Sequence, residues 1–259
     1  MDLFEPLSNL TYSLETSPIK LVATDMDGTL TRQGRFTREL LQGLEKLQEA
    51  NIAVVIVTGR SAGWVQGLAH YLPVAGAMAE NGGAYIARAN AEAERLTDLP
   101  DLVLHRQQLA GLFAELQQSF PHLVPSSDNA FRLTDWTFDI AELTQADLRQ
   151  LQPICQAAGW GFTYSTVQCH LYRPGQSKAA GLQEVLSRYF PNITSRQVIT
   201  VGDSPNDESL FNRALFPYGV GVANLKDYWP QLTHRPTYVA NAPEVDGFLE
   251  LVEILLEKG

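Results

Sequence analysis

Short apolar runs alternate along the chain with stretches in which apolar residues recur every three or four positions. Residues 19–23, 52–57, 74–78 and 197–201 are mostly apolar, and each run gives way to polar residues or glycine. Such runs predict strands buried on both faces, as in a parallel sheet. Between them, Leu40, Leu41, Leu44 and Leu47 recur at helical spacing behind Thr37, a predicted N-cap. Trp64, Val65 and Leu68 do the same behind Ser61 and are expected on the inner face of a second helix. Residues 177–189 and 245–256 carry two more amphipathic patterns, and 218–222 and 237–239 read as short strands. Strands alternating with helices predict βαβ units, so the expected fold class is α/β, with a Rossmann-like parallel sheet covered by helices on both faces.

The texture changes between about residues 85 and 172. Residues 130–140 and 161–172 alternate apolar and polar positions, the signature of an antiparallel sheet with one wet face. Two amphipathic helices are expected there. One spans about 106–119, with Leu109, Leu112, Phe113 and Leu116 inward; the other spans 146–157, with Leu148, Leu151 and Ile154 inward. Thr144 and Asp147 form an acidic variant of the capping box at the start of the second. The expected organisation is a discontinuous α/β core, 18–84 and 173–259, an α+β insert at 85–172, and an N-terminal extension, 1–17, that shows no clear period. A length of 259 residues suits two such units.

Charge narrows the function. Nineteen Lys and Arg against 29 Asp and Glu give a net charge of −10. An acidic surplus argues against nucleic acid and against anionic membranes as partners. The first residues lack a basic region followed by an apolar one, and no apolar run approaches a membrane span, so a cytoplasmic location is expected. Two cysteines, Cys155 and Cys169, form neither a disulfide framework nor a zinc pattern, and both are expected as packing residues.

The candidate chemistry sits where the strands end. Asp25 and Asp27, Thr58, and Asp203 and Asp207 all follow predicted strands, while Lys178 opens a helix. In an open α/β sheet, ligands bind outside the carboxyl ends of the strands. Asp25 and Asp27 could supply a nucleophile and an acid or base, hold a hard cation, or form an Asx-type turn with Gly28. Thr58, Gly59 and Arg60 offer a hydroxyl and N–H groups to an anion, or a helix cap. A lysine at a helix start opposes the macrodipole, a local rule broken. The run 202–207 crowds two carboxylates and an amide into a tight loop, where without a counter-cation the charges would repel or stay protonated.

Taken in order, these motifs resemble the haloacid dehalogenase (HAD) superfamily of phosphatases. Asp25-x-Asp27-Gly28-Thr29 resembles its first motif, Thr58 its second, Lys178 its third, and Gly202-Asp203-Ser204-Pro205-Asn206-Asp207 its fourth. The insert resembles a type II (C2) cap of subclass IIB. The resemblance implies a phosphatase in which Asp25 is the nucleophile, forming an aspartyl-phosphate, and Asp27 is the acid and then the base. It implies Mg²⁺ held by Asp25, the Asp27 backbone carbonyl, Asp203 and Asp207, and a phosphoryl group bound by Thr58, Gly59 and Lys178. Asn81, Asn206, Arg60 and His170 are expected substrate contacts, with Arg132, Trp136, Tyr164, Tyr172 and Arg173 as further cap candidates. The expected substrate is a small phosphate ester, a sugar phosphate by likeness of the fourth motif, and the expected state is a monomer or homodimer. A phosphosugar mutase and a non-catalytic binding protein on the same scaffold are the alternatives.

Overall fold

A computed structural model describes residues 4–10, 18–90 and 92–257. The first half of the chain carries β1 (Glu5–Pro6), β2 (Leu21–Thr24), α1 (Arg38–Glu49), β3 (Ala53–Val57), α2 (Ala62–Tyr71), β4 (Gly76–Ala79), β5 (Ala84–Ala87) and β6 (Glu94–Arg95). Next come α3 (Leu102–Ser119), β7 (Asp135–Asp139), α4 (Gln145–Ala157), β8 (Gly161–Tyr164) and β9 (Gln168–Tyr172). The last part carries α5 (Lys178–Tyr189), β10 (Val198–Gly202), β11 (Tyr218–Gly221), β12 (Tyr238–Val239) and α6 (Glu244–Leu256).

Nine strands form one sheet in the order β1-β12-β11-β10-β2-β3-β4-β5-β6. Pairing is parallel from β1 to β4 and antiparallel for β5 and β6. Side-chain alternation builds two cores from one strand: Val22 packs with α1, α2 and α6 on one face, and Leu21 and Ala23 pack with α5 on the other. From β2 the chain proceeds outward to β3 and β4 and later returns to β10 on the opposite side. That reversal opens a crevice at the carboxyl ends of β2 and β10.

A separate antiparallel sheet, β7-β9-β8, packs with α3 and α4 around an apolar core of its own. Phe113, Phe138 and Phe162 form its aromatic centre. Cys155 and Cys169 are buried free thiols in that core, and burial raises the Cys155 thiol to about 12.

Several expectations shift. Glu5–Pro6, expected outside the core, adds an edge strand beside β12, with Leu7 and Leu10 buried; residues 1–3 and 11–17 of that extension lie outside the described residues. Residues 84–87 and 94–95 prolong the large sheet instead of joining the small one. Within 130–140 only Asp135–Asp139 is a strand, since Ser127–Phe131 coils into a 3₁₀ turn, and 161–172 is a hairpin. The helix expected at 106 starts at Leu102, because the Asp101 carboxylate caps the Leu104 N–H at 2.9 Å. Leu41, Trp64 and Ile154 face solvent. Thr37 and Thr144 cap their helices as expected. Ser61 does not; the Ala62 N–H is taken at 3.0 Å by Glu80, whose longer side chain reaches the helix start from the β4 end.

Candidate active site

The carboxyl end of β2 delivers Asp25, whose backbone N–H donates to Val201 of the neighbouring strand at 2.9 Å. Lys178 is the first residue of α5, which Ser177 caps through the Ala180 N–H. The Lys178 ammonium is wholly buried and donates to Asp25 Oδ1 at 2.6 Å and to Asp207 Oδ1 at 2.5 Å. Its unfavourable place at a helix N-terminus is offset by these two carboxylates. The other Asp207 oxygen accepts from the Asp203 and Ser204 N–H groups at 2.9 and 3.1 Å, closing a capping box with Ser204. The crowded carboxylates of 202–207 thus have a counter-cation and backbone donors.

Asp25, Asp203 and Asp207 each place an oxygen within 4.8 Å of the others, and all three are buried. Burial first, and Asp207 second, raise the Asp25 carboxyl from 3.8 to about 7. Burial and the neighbouring Asp25 raise Asp203 well above its ordinary range. For Lys178, burial works against the charge, but Asp207 and Asp25 more than offset it and the ammonium is held above its ordinary value. Three buried oxygen donors with one lysine carry surplus negative charge, and this donor set fits a hard divalent cation such as Mg²⁺. Gly28 has φ of +81°, and a Cβ there would lie 2.3 Å from Asp203 Oδ2, so the missing side chain is what lets the Asp203 carboxylate take its place in the cluster. The Asp27 side chain lies outside this cluster, because Arg60 holds it through two hydrogen bonds of 2.8 and 2.7 Å.

Thr58 follows β3, and its hydroxyl accepts the Arg60 N–H at 3.2 Å. Asp25, Asp27, Thr58, Gly59, Arg60, His170 and Asn206 surround one cavity of about 10 Å³, closed by Ser165, Val167 and Gln168 of the β8–β9 hairpin. Lys178, Asn81 and Asn206 also border a larger cavity of about 1010 Å³, whose far wall includes Arg149, Tyr164 and Gln231.

Of the cap candidates, His170 reaches the small cavity, while Tyr164 and Tyr172 line the large one. Trp136 packs on Phe113 and under Arg106, and Arg173 bonds the Asp98 carbonyl. Arg132 is 3% exposed and points away from solvent into a buried network. It donates to both Asp135 oxygens at 2.9 and 3.0 Å, to Asp128 and to Gln168, and to the Gly59 carbonyl at 2.9 Å. A residue of the insert therefore grips the loop after β3.

Three contributors escaped sequence reasoning. Asn224 donates to Asp203 Oδ2 at 2.9 Å and to the Gly28 carbonyl at 3.1 Å. It lies just past the carboxyl end of β11, a position that could have flagged it. Asp135 accepts from His170 Nδ1 at 2.8 Å, and Arg132 with His170 outweighs burial to hold its carboxyl below the usual range. Glu80 accepts from the Ala62, Leu133 and Thr134 N–H groups and from the Thr134 hydroxyl. Burial raises its carboxyl all the same.

Buried carboxylates and a lysine at the switch point of a parallel sheet, with an α+β insert reaching over them, define a capped α/β enzyme. The haloacid dehalogenase-like hydrolase family matches residues 22–124 and 127–250, and the chain belongs to that family. It is similar to a phosphoglycolate phosphatase of Methanothrix thermoacetophila, 26% identical over 93% of this chain and 99% of the relative. It is also similar to one of Methanothermobacter thermautotrophicus, 27% identical over 90% and 97%. Among solved structures, a protein of Thermoplasma acidophilum superposes with a TM-score of 0.72 at 18% identity, covering 92% of this chain and 99% of the other. A phosphatase of the haloalkanoate (HAD) enzyme superfamily from Bacteroides thetaiotaomicron gives 0.70 at 18%, covering 93% and 96%. Among the described residues, no helix is long and apolar enough to cross a membrane.

Proposed function

We propose that this chain is a Mg²⁺-dependent phosphatase that hydrolyses a small phosphate ester through an aspartyl-phosphate on Asp25. The observation that carries the reading is the buried Lys178 ammonium bridging Asp25 and Asp207, with Asp203 beside them at the sheet's carboxyl edge. An Asp25 oxygen attacks phosphorus as the bond to the alcohol oxygen breaks, and Asp27 gives that oxygen its proton. Asp27 then takes a proton from the water that attacks the phosphoenzyme, and phosphate leaves with Asp25 restored. Arg60 orients Asp27 for both transfers. Lys178, the Thr58 hydroxyl and the Gly59 N–H bind the phosphoryl oxygens, the positioning and neutralisation on which phosphoryl transfer depends. Bound to Asp25, Asp203, Asp207 and the Asp27 carbonyl, Mg²⁺ supplies charge neutralisation at the phosphoryl group.

The core is then built from both flanks of the chain, with the insert as its cap. The pairing of β5 with β4 and of β6 with β5 supports starting that cap after Arg95. The large cavity beside Lys178, with Arg149, Gln152 and Gln176 among its lining, leaves room for a hydroxylated alcohol such as a sugar. A phosphorylated hydroxy acid is the second reading, favoured by the name that the full-length relatives share.

Asp25→Asn is the test. With p-nitrophenyl phosphate and Mg²⁺, the variant is expected to release no phosphate above background while its far-UV circular dichroism matches the wild type. Undiminished turnover in that variant would overturn the mechanism.

A further inference from the structure

One buried donor among the described residues, in the wall of the large cavity beside Lys178, has no partner. The Asn81 side chain is 4% exposed, and its Nδ2 makes no hydrogen bond among the described residues. Buried amide N–H groups are almost always paired, so an unpaired one at a catalytic edge points to a ligand atom. Its orientation is fixed by a relay: the Ser204 hydroxyl donates to Asn206 Oδ1 at 2.7 Å, and Asn206 Nδ2 donates to Asn81 Oδ1 at 3.0 Å. The Asn81 oxygen is thereby taken and the amide nitrogen turned the other way. The backbone here is strained as well. Glu80 and Asn81 have φ of +53° and +51°, a region that residues other than glycine seldom adopt, and hydrogen bonds from four donors to the Glu80 carboxylate hold the turn in place.

The unpaired nitrogen faces His170. A Cβ built on Gly59 would lie 3.0 Å from His170 Nε2 and 3.3 Å from Asn81 Nδ2, so the two nitrogens converge on the notch that the missing side chain of Gly59 leaves, His170 from the small cavity and Asn81 from the large one. His170 is 1% exposed, and its Nδ1 binds Asp135, which Arg132 already pairs. Nδ1 therefore carries the proton, and in the neutral ring Nε2 presents a lone pair to the notch. Burial favours that neutral ring, against the pull of Asp135.

We propose that Asn81 and His170 form a specificity pair that binds a hydroxyl group of the substrate alcohol, Asn81 Nδ2 donating to its oxygen and His170 Nε2 accepting its proton. A hydroxyl satisfies one donor and one acceptor together, whereas a carboxylate can satisfy only the Asn81 donor. The pair therefore selects phosphorylated polyols and sugars over phosphorylated hydroxy acids. This assignment rests on the phosphatase reading and adds the substrate class to it.

The experiment compares kcat and KM of the full-length wild type and three variants with glycerol 3-phosphate, phosphoglycolate and p-nitrophenyl phosphate in Mg²⁺. The wild type is expected to favour glycerol 3-phosphate over phosphoglycolate in kcat/KM. His170→Asn keeps a donor where Nδ1 bonds Asp135 but deletes the Nε2 acceptor. It is expected to raise KM for glycerol 3-phosphate about tenfold, the effect of one lost buried hydrogen bond. His170→Gln, whose amide oxygen reaches the Nε2 position, is expected to recover part of that loss. Asn81→Asp, which exchanges the donor for an acceptor, should match His170→Asn. If His170 served only to hold Asp135, the ranking would reverse, with His170→Asn near wild type and His170→Gln impaired. That reversal overturns the proposal, as does a wild type that favours phosphoglycolate. Both outcomes leave the phosphatase reading intact. A wild type that releases phosphate from none of the three esters overturns both.

Discussion

Replacing Lys178 with methionine tests the electrostatic balance of the site most directly. Methionine keeps much of the lysine stem's volume and its helix propensity, so the change removes a charge and leaves little cavity. Asp25 and Asp207 then lose the ammonium that bonds both of them. Deleting one partner of a buried ion pair costs about 3–5 kcal/mol. A chain of this size loses roughly 2–4 °C of Tm per kcal/mol, so the metal-free variant should melt roughly 6–20 °C below the wild type near pH 8. The deficit should shrink as pH falls. Even with Lys178 present, Asp25 is raised from 3.8 to about 7 in the folded state. Between those values the folded chain holds more protons than the unfolded one, so this group's contribution to stability declines as pH rises through the window and is lowest above it. Without Lys178 the folded pKa moves higher and the window widens, leaving the deficit small near pH 5 and full near pH 8. Thermal melts of both proteins in EDTA at about pH 5, 6.5 and 8 measure this. A variant that melts with the wild type near pH 8, or whose deficit is larger near pH 5, refutes the reasoning.

EDTA treatment should remove phosphate release and added Mg²⁺ should restore it. The Tm gain from Mg²⁺ should be larger near pH 8 than near pH 5, since the ion competes with protons for Asp25 and Asp203; metal-independent turnover would count against both as ligands. Arg132→Leu unpairs Asp135 and Asp128 and frees the Gly59 carbonyl, so it should lower stability by about 3–5 kcal/mol. Urea melts measure that loss, and limited proteolysis should find cleavage concentrated between β6 and α5; an unchanged midpoint would show the network to be idle.

The parallel core was legible because its strands are buried on both faces, which writes them into the sequence as unbroken apolar runs. The positions of Asp25, Thr58 and Asp203 were legible for a related reason: in such a sheet the residue just past a strand has only one place to go. Lys178 stood out instead because a cation at a helix start opposes the macrodipole. Residues 5–6 and 94–95 were not, because two-residue edge strands are too short to carry a period. The Arg132 network was hidden for a different reason. Asp128, Asp135, Gln168 and His170 gather around Arg132 only in the folded insert, and Gly59 joins them only when that insert docks on the core; no local pattern records either event. Glu80 went unflagged because residues 80–83 form a turn, and a turn does not record where a long side chain reaches. Its side chain fastens that turn to α2 and to the approach to β7.

The position of β10 sets an order on synthesis. β2 pairs with β3 on one side and with β10 on the other. Until residues 198–202 leave the ribosome, the nascent chain holds β2 with one edge open, and Asp25 exists without the two aspartates that complete its site. An unpaired edge in the middle of a future sheet is an invitation to other strands. The insert, with its own apolar core, emerges during this interval. A chain arrested before β10 should therefore hold a finished insert beside an unfinished, adhesive core, a natural client for a chaperone.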